Sequence, residues 1–157
     1  MPQKRLPTFA DYADLKYVEA VLAESMRLYP PAWAIGRLAV ENHELNNFPV
    51  EKGSLVLLSP YVTHRDGRFW DEPESFKPER WENLSVKEAS GRFVYFSFGG
   101  GVRRCIGEQF AWTEGILLLA TIARKWRLKL SPEQKIALNP LVTLRPKYGM
   151  KMTPFRR

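Results

Sequence analysis

The sequence predicts a mainly α chain with small β-sheets, an α+β fold, on three observations. Two segments carry helical spacing of apolar residues, Asp11 to Tyr29 and Ile106 to Lys125. Short strand-like runs lie between and after them, separated by turn signals such as Asn46-Asn47, Lys52-Gly53 and Lys147-Tyr148-Gly149. No internal repeat or low-complexity linker divides the 157 residues, which is the size of one ordinary domain able to bury a core.

In chain order, residues 1–10 read as a loop. Asp11 to Tyr29 follows as a helix with Leu15, Val18, Leu22, Met26 and Tyr29 on one stripe and Thr8 and Asp11 as N-terminal capping residues. Pro30-Pro31 ends it, because Pro30 has no N–H to donate and pushes Tyr29 out of the α region. Strands are predicted at Trp33 to Glu41 and Ser54 to Ser59, then a short helix at Tyr61 to Trp70 and a proline-punctuated meander at Asp71 to Asn83. Ser85 to Gly91 reads as exposed loop or a single helical turn. Ile106 to Lys125 has apolar residues nearly around its axis, the pattern of a helix buried in a larger body. Trp126 to Leu130 and Leu141 to Met152 read as strands around loops.

Composition narrows the function classes. Apolar residues make up 45% and charged residues 26%, proportions of a globular rather than a disordered chain. No apolar run is long enough to cross a bilayer. Met1 to Leu6 is polar and basic with no signal-like apolar region after it, so a cytoplasmic location is expected. One cysteine excludes an internal disulfide and a zinc site of several thiolates, and only His43 and His64 could add nitrogen ligands. The net charge of +7 suits an acidic partner, anionic lipid or nucleic acid, or is simply scattered surface charge. Without a basic helix, an aromatic RNA-binding signature or a zinc finger, nucleic acid is not expected as a partner.

Three clusters carry candidate chemistry. Glu24 and Arg27 stand i, i+3 on the first helix, where they either pair or form an ordinary exposed ion pair. Prolines stiffen Phe76-Lys77-Pro78-Glu79-Arg80-Trp81, so that the planar fork of Arg80 suits bidentate bonding to a carboxylate such as Glu24, or is only a surface arginine. The third cluster, Phe98-Gly99-Gly100-Gly101-Val102-Arg103-Arg104-Cys105-Ile106-Gly107, holds the only cysteine. Its glycines permit positive φ and close approach of backbone to a flat ligand. The helix that follows would stabilise a thiolate, Arg103 could bind an acidic group, and Phe98 could keep water off the sulfur. The same residues also fit a plain cysteine in a turn.

Glu-x-x-Arg, then Pro-Glu-Arg-Trp, then Phe-x-x-Gly-x-Arg-x-Cys-x-Gly, in this order and spacing, resembles the C-terminal part of the cytochrome P-450 haem-thiolate monooxygenases. The resemblance runs along essentially the whole chain, and Tyr29-Pro30-Pro31, Gly36-Arg37, His64-Arg65-Asp66 and Leu144-Arg145-Pro146 share in it. It implies the C-terminal portion of that fold: residues 1–157 form a single haem-ligating segment of a larger haem-thiolate domain. It implies haem b as cofactor, with Cys105 as the axial ligand whose electron density favours O–O cleavage. Arg103 and Arg37 match propionate-binding positions, Phe98 the residue shielding the thiolate, and Gly101 and Gly107 the loop glycines. Glu24, Arg27 and Arg80 match a structural triad behind the haem. His64 reads as a structural hydrogen-bonding residue, and Ala34, Ile35 and Gly36 lie near where such proteins meet substrate.

The resemblance further implies insertion of one oxygen atom from dioxygen into an apolar small molecule. Electrons would come from an external ferredoxin, flavodoxin or flavin reductase, with Arg103, Arg104 and nearby basic residues attracting it. The acid–threonine pair of the central oxygen-activating helix, Gly-x-(Asp/Glu)-Thr, is absent from these residues. Thr113-Glu114 lies beyond the cysteine, on the proximal side, so no catalytic residue is assigned. The expected alternatives are a non-catalytic haem-binding remnant, one half of a split protein, and a cysteine hydrolase using Cys105 with His43 or His64 as base.

Overall fold

Thr8 and Asp11 set the start of ordered helical structure in the computed structural model, which describes residues 5–157. The Thr8 N–H and hydroxyl donate to the Asp11 carboxylate at 2.8 and 3.0 Å, and Arg5 grips the same carboxylate. The predicted first helix is therefore two pieces. A 3-10 turn spans Phe9–Asp14, Leu15 breaks the geometry at φ −89°, ψ 32°, and α1 spans Lys16–Leu28. Its end falls at the Pro30-Pro31 pair as expected, with Tyr29 at φ −130°, ψ 63°.

The strands are shorter than predicted and pair locally. β1 (Ile35–Leu38) runs antiparallel to β4 (Leu55–Leu58), with Arg37 opposite Val56. Between them β2 (His43–Leu45) and β3 (Phe48–Val50) form a hairpin whose two-residue turn is Asn46-Asn47, at φ 50° and 66°. Asparagine tolerates that left-handed backbone, which matches the twist of the flanking strands. The helix predicted over Tyr61 to Trp70 shrinks to α2 (Pro60–Thr63), capped by the Ser59 hydroxyl. Beyond it Asp66 turns its side chain onto Arg68, and the chain continues as turns.

The meander predicted over Asp71 to Asn83 is present and contains one 3-10 turn, Pro78–Glu82. Ser85 and Glu88 form a reciprocal cap that makes Val86–Gly91 the short helix α3. The last helix, α4 (Glu108–Lys125), begins two residues after the predicted start, and Ile106 is fully exposed ahead of it. β5 (Trp126–Leu130) pairs with β8 (Met152–Arg156), and β6 (Leu138–Pro140) with β7 (Leu144–Pro146). The turn expected at Lys147-Tyr148-Gly149 links β7 to β8, with Gly149 at φ 71°.

Packing corrects the sequence reading of α1. The most buried face of α1 is not the predicted apolar stripe: Ala20, Ala23, Glu24, Arg27 and Leu28 are buried, whereas Val18, Leu22 and Met26 are only partly so. The apolar circumference of α4 is only partly covered within this chain, in keeping with a helix that belongs to a larger body. One stripe at four-residue spacing, Glu108, Trp112, Ile116 and Ala120, is buried, while Phe110 is 72% and Leu118 53% exposed. Helices α1 and α4 touch closely at Gly115, where a Cβ would come within 2.7 Å of Leu22. Leu15, Ala23, Trp70, Val94, Tyr95, Trp112 and Ile116 make up most of the core.

Within that core Glu24 and Arg27 are fully buried. Arg27 is bidentate to Glu24, through Nε and NH2 at 2.9 Å each. Arg80 reaches Glu24 through Nε alone, at 3.0 Å, and donates its other N–H groups to the carbonyls of Asp71 and Glu72. The expected bidentate Arg80–Glu24 bond thus falls to Arg27, because the meander carbonyls compete for the Arg80 fork. The Lys77 amide and the Trp81 indole also donate to Glu24, at 2.9 and 3.0 Å. Burial alone would raise the Glu24 pKa, but the bonds from Arg27, Lys77 and Arg80 outweigh it and hold the carboxyl below its usual range.

Two consequences are measurable. Glu24→Gln leaves Arg27 and Arg80 facing no carboxylate, so chemical denaturation should show a loss of about 3–5 kcal/mol. Asp66→Asn, which removes an ion pair with an 80% exposed Arg68 side chain, should cost under about 1 kcal/mol. A similar cost for both would contradict the assignment. Burial pushes the His64 imidazole down to about 4 from 6.5. The unfolded chain therefore takes up that proton first, and stability should fall as pH drops from 6.5 towards 4. Glu24 adds a second loss below that, as pH falls through its lowered folded value. Unfolding midpoints measured at pH 7 and pH 5 should differ less in His64→Phe than in the parent; an equal fall would exclude His64 as its source.

Candidate functional site

The segment from Phe98 to Cys105 is a loop closed by its own backbone. The Cys105 N–H donates to the Phe98 carbonyl at 2.9 Å, and Arg104 N–H to Gly101 O at 3.1 Å. Gly99 and Gly101 take φ 76° and 63°, conformations that a side chain would strain. A 3-10 turn, Gly101–Arg103, carries the chain round to Cys105, which is exposed. Gly107 then opens α4; a Cβ on it would lie 3.8 Å from the Cys105 sulfur.

One wall of this loop borders a cleft of about 490 Å³. Cys105, Arg103, Phe98, Gly99 and Ser97 line it from the loop, Ile35 and Arg37 from β1, and Met26, Pro31, Ala32 and Thr143 complete it. The β6–β7 connection is held against this wall by Trp33 Nε1 donating to Leu141 O and Leu144 N–H to Pro31 O, at 2.8 and 2.9 Å. Residues separated by some seventy positions in sequence, Arg37 and Cys105, therefore share one cleft. Of the substrate-side trio, Ile35 lines it and Ala34 and Gly36 do not.

The two arginines before the cysteine divide their work. Arg104 is paired with Glu108, the first residue of α4, with Nη2 to Oε1 at 2.7 Å, and borders a second cavity with Tyr12, Glu19 and Lys87. Its charge is neutralised within the chain, against the expectation that it attracts a partner. Arg103 has no hydrogen-bond or ion-pair partner among the described residues, and Arg37 bonds only the carbonyl of Gly36, at 2.9 Å. Two guanidinium groups with no carboxylate partner beside an exposed thiol suit a flat ligand that carries two acidic groups and a metal seeking a sulfur donor. Phe98 lines the same cleft as the thiol, its ring 6.1 Å from that of Trp112. The residues present fit a haem.

The histidines fit no hydrolytic arrangement. His64 is fully buried, with Nε2 accepting the Phe96 N–H at 2.9 Å, and His43 stands on the β2–β3 hairpin. Neither lines the Cys105 cleft. No cluster of three or more His, Cys, Asp or Glu side chains suited to a metal occurs among the described residues, and none of their helices is long and apolar enough to cross a membrane.

Several supports escaped the sequence reading. Trp81, one residue beyond Arg80, donates to Glu24, and its place in Pro-Glu-Arg-Trp was the available signal. Ser97 Oγ donates to Met26 O at 3.2 Å, filling a carbonyl that Pro30, four residues on, cannot reach for lack of an N–H.

Comparison with known proteins gives the family. The chain is 44% identical over 140 residues to cyclooctatin synthase of Streptomyces melanosporofaciens, covering 89% of this chain and 30% of that protein. It is 35% identical over 156 residues to the chloroplastic carotene epsilon-monooxygenase of Arabidopsis thaliana, covering 98% and 29%. Among solved structures, the cytochrome P450DA heme domain superposes with a TM-score of 0.87 at 25% identity, over 100% of this chain and 35% of that one. The chain thus spans roughly a third of the length of the curated relatives it matches. With the Cytochrome P450 family profile matching residues 1–153, the chain belongs to the cytochrome P450 family.

Proposed function

We propose that this chain supplies the haem-ligating, proximal part of a haem-thiolate monooxygenase. The observation that carries the reading is the convergence of Cys105 with two carboxylate-free arginines, Arg37 and Arg103, on one cleft. Haem b bound there would supply the iron at which dioxygen is activated for insertion of one oxygen atom into an apolar organic molecule.

The residues divide the work of holding it. Cys105, which is exposed, would hold the iron through its thiolate. Arg37 and Arg103 would donate charge-assisted hydrogen bonds to two propionates. Phe98 would keep water from the sulfur, and Gly101 and Gly107 would leave room for the ring beside the loop and the start of α4. Glu24, Arg27 and Arg80 fix the meander and α1 behind the loop. The apolar lining at Met26, Pro31, Ala32 and Ile35 supports an apolar substrate. Electrons would come from an external ferredoxin, flavodoxin or flavin reductase.

These 157 residues do not themselves complete the reaction. Thr113 on α4 spends its hydroxyl on the Gln109 carbonyl at 2.9 Å, and no acid–threonine pair stands opposite the thiolate. The exposed Phe110, Leu118 and Ile122 on α4 favour a role as one part of a larger haem domain, whether a segment or a split half. A non-catalytic haem-binding remnant is the second reading.

Haem titration followed by reduction under carbon monoxide tests the proposal. The expected result is the red-shifted band of a thiolate-ligated haem, lost in Cys105→Ser. Arg37→Ala and Arg103→Ala should each weaken haem binding about tenfold or more. A band unchanged by Cys105→Ser would sink the ligand assignment. With a reductant supplied, no substrate oxidation is expected from this chain alone, and turnover would overturn its dependence on further residues. If neither the chain nor a haem domain containing it turns over substrate while the band is normal, the remnant reading stands.

A further inference from the structure

We propose that His64 is a positioning residue for Cys105: its Nε2 fixes the Phe96 amide and thereby sets where the thiol stands over the cleft. The role as iron ligand rests on the reading above; the positioning does not.

His64 lies at the end of α2 and is held at both backbone groups, its N–H on Pro60 O at 2.8 Å and its carbonyl on Arg27 NH1 at 2.6 Å. The imidazole stacks on Tyr95, with ring centres 4.9 Å apart and planes 12° apart, and meets Phe96 edge-on at 5.3 Å. Because Nε2 accepts from the Phe96 N–H, the proton of the neutral ring is on Nδ1. That Nδ1 is buried with no partner at hydrogen-bond geometry among the described residues, although the Arg27 and Met26 carbonyls act on the ring. An unsatisfied buried donor is destabilising, and a phenylalanine would fill the same slot and stack on Tyr95 without it. Packing therefore does not explain a histidine here. The acceptor at Nε2 does.

What Nε2 holds is the root of the cysteine loop. Three successive residues are tied to the core: Tyr95 Oη to Ala23 O at 3.3 Å, Phe96 N to His64 Nε2 at 2.9 Å, and Ser97 Oγ to Met26 O at 3.2 Å. Only the middle tie fixes a backbone amide. From there two backbone bonds reach the thiol residue. The Phe96 carbonyl accepts from Gly99 N–H and the Phe98 carbonyl from Cys105 N–H, both at 2.9 Å. Arg27 thus reaches the loop through His64 rather than by touching it.

Hydrogen exchange of the 157-residue chain, followed by peptide, tests this without cofactor. In His64→Phe, amides of residues 96–105 should exchange about tenfold faster or more, while those of α4 from 111 to 120 keep their parent rates. His64→Gln, whose side-chain oxygen can occupy the Nε2 position, should restore residues 96–105. The rate of alkylation at Cys105, the sole thiol, should move in His64→Phe and return in His64→Gln. Parent-like exchange at 96–105 in His64→Phe overturns the proposal. Should His64→Phe also lose α4 protection, His64→Gln decides: protection of both segments upholds the proposal, and a loose loop overturns it. In haem-loaded chain, a thiolate band diminished in His64→Phe and regained in His64→Gln is expected. Absence of any such band in the parent counts against haem ligation and leaves the exchange result standing.

Discussion

Glu24 is a carboxylate at zero exposure that accepts five hydrogen bonds, from Arg27, Arg80, Trp81 and the Lys77 amide. Such a group costs several kcal/mol to desolvate, on the order repaid only when every lone pair is used and the partners are charged. Satisfying it forces three stretches of chain together: α1, the meander from Asp71 to Asn83, whose Pro73 and Ser75 carbonyls accept from Arg27, and the end of α2, whose His64 carbonyl does the same. An apolar core of the same volume would hold these stretches about as tightly. It would not fix their register, because apolar contacts lack direction. The polar network gives one arrangement, and the cysteine loop inherits it.

Transmission to the loop depends on local chain chemistry at two points. Pro30 ends α1 and leaves the Met26 carbonyl open to Ser97. His64 offers an aromatic ring that can also accept a backbone N–H, which no other apolar-sized side chain does at this spot. Beyond them the glycines at 99 and 101 let the chain fold back so that Cys105 closes onto Phe98. Rigidity is thus made in the core and delivered to an exposed thiol.

Much of this was legible in the residues. Helix ends at Pro30-Pro31 and Lys125, the Asn46-Asn47 turn and the Ser85 segment follow from local rules about donors, positive φ and capping. The motif residues Glu24, Arg27, Arg80, Arg103 and Cys105 stood out by type and spacing. What was not legible arose from competition. Asp11 carries helical periodicity but spends its carboxylate on Thr8 and Arg5, so a 3-10 turn forms first. The Arg80 fork was free to pair with Glu24 until meander carbonyls claimed two of its nitrogens. Arg37 and Cys105 meet only because β1 and the loop border the same cleft, a fact no sequence window contains.

The apolar circumference of α4 shows how far the chain's own contacts reach. Its sequence is that of an enclosed helix, yet only the stripe through Trp112, Ile116 and Ala120 is covered. Both facts hold if burial was selected in a larger body than these 157 residues build, since the superposed heme domain is nearly three times as long. The covered stripe faces α1 and the 3-10 turn of Phe9–Asp14, the side on which the polar network sits. Phe110, Leu118 and Ile122 lie off that stripe and remain in solvent. The loop's internal bonds are complete within the chain, while the surfaces around it are not. Position of the thiol is therefore a property of this chain, and the environment above it is a property of whatever covers the remaining faces.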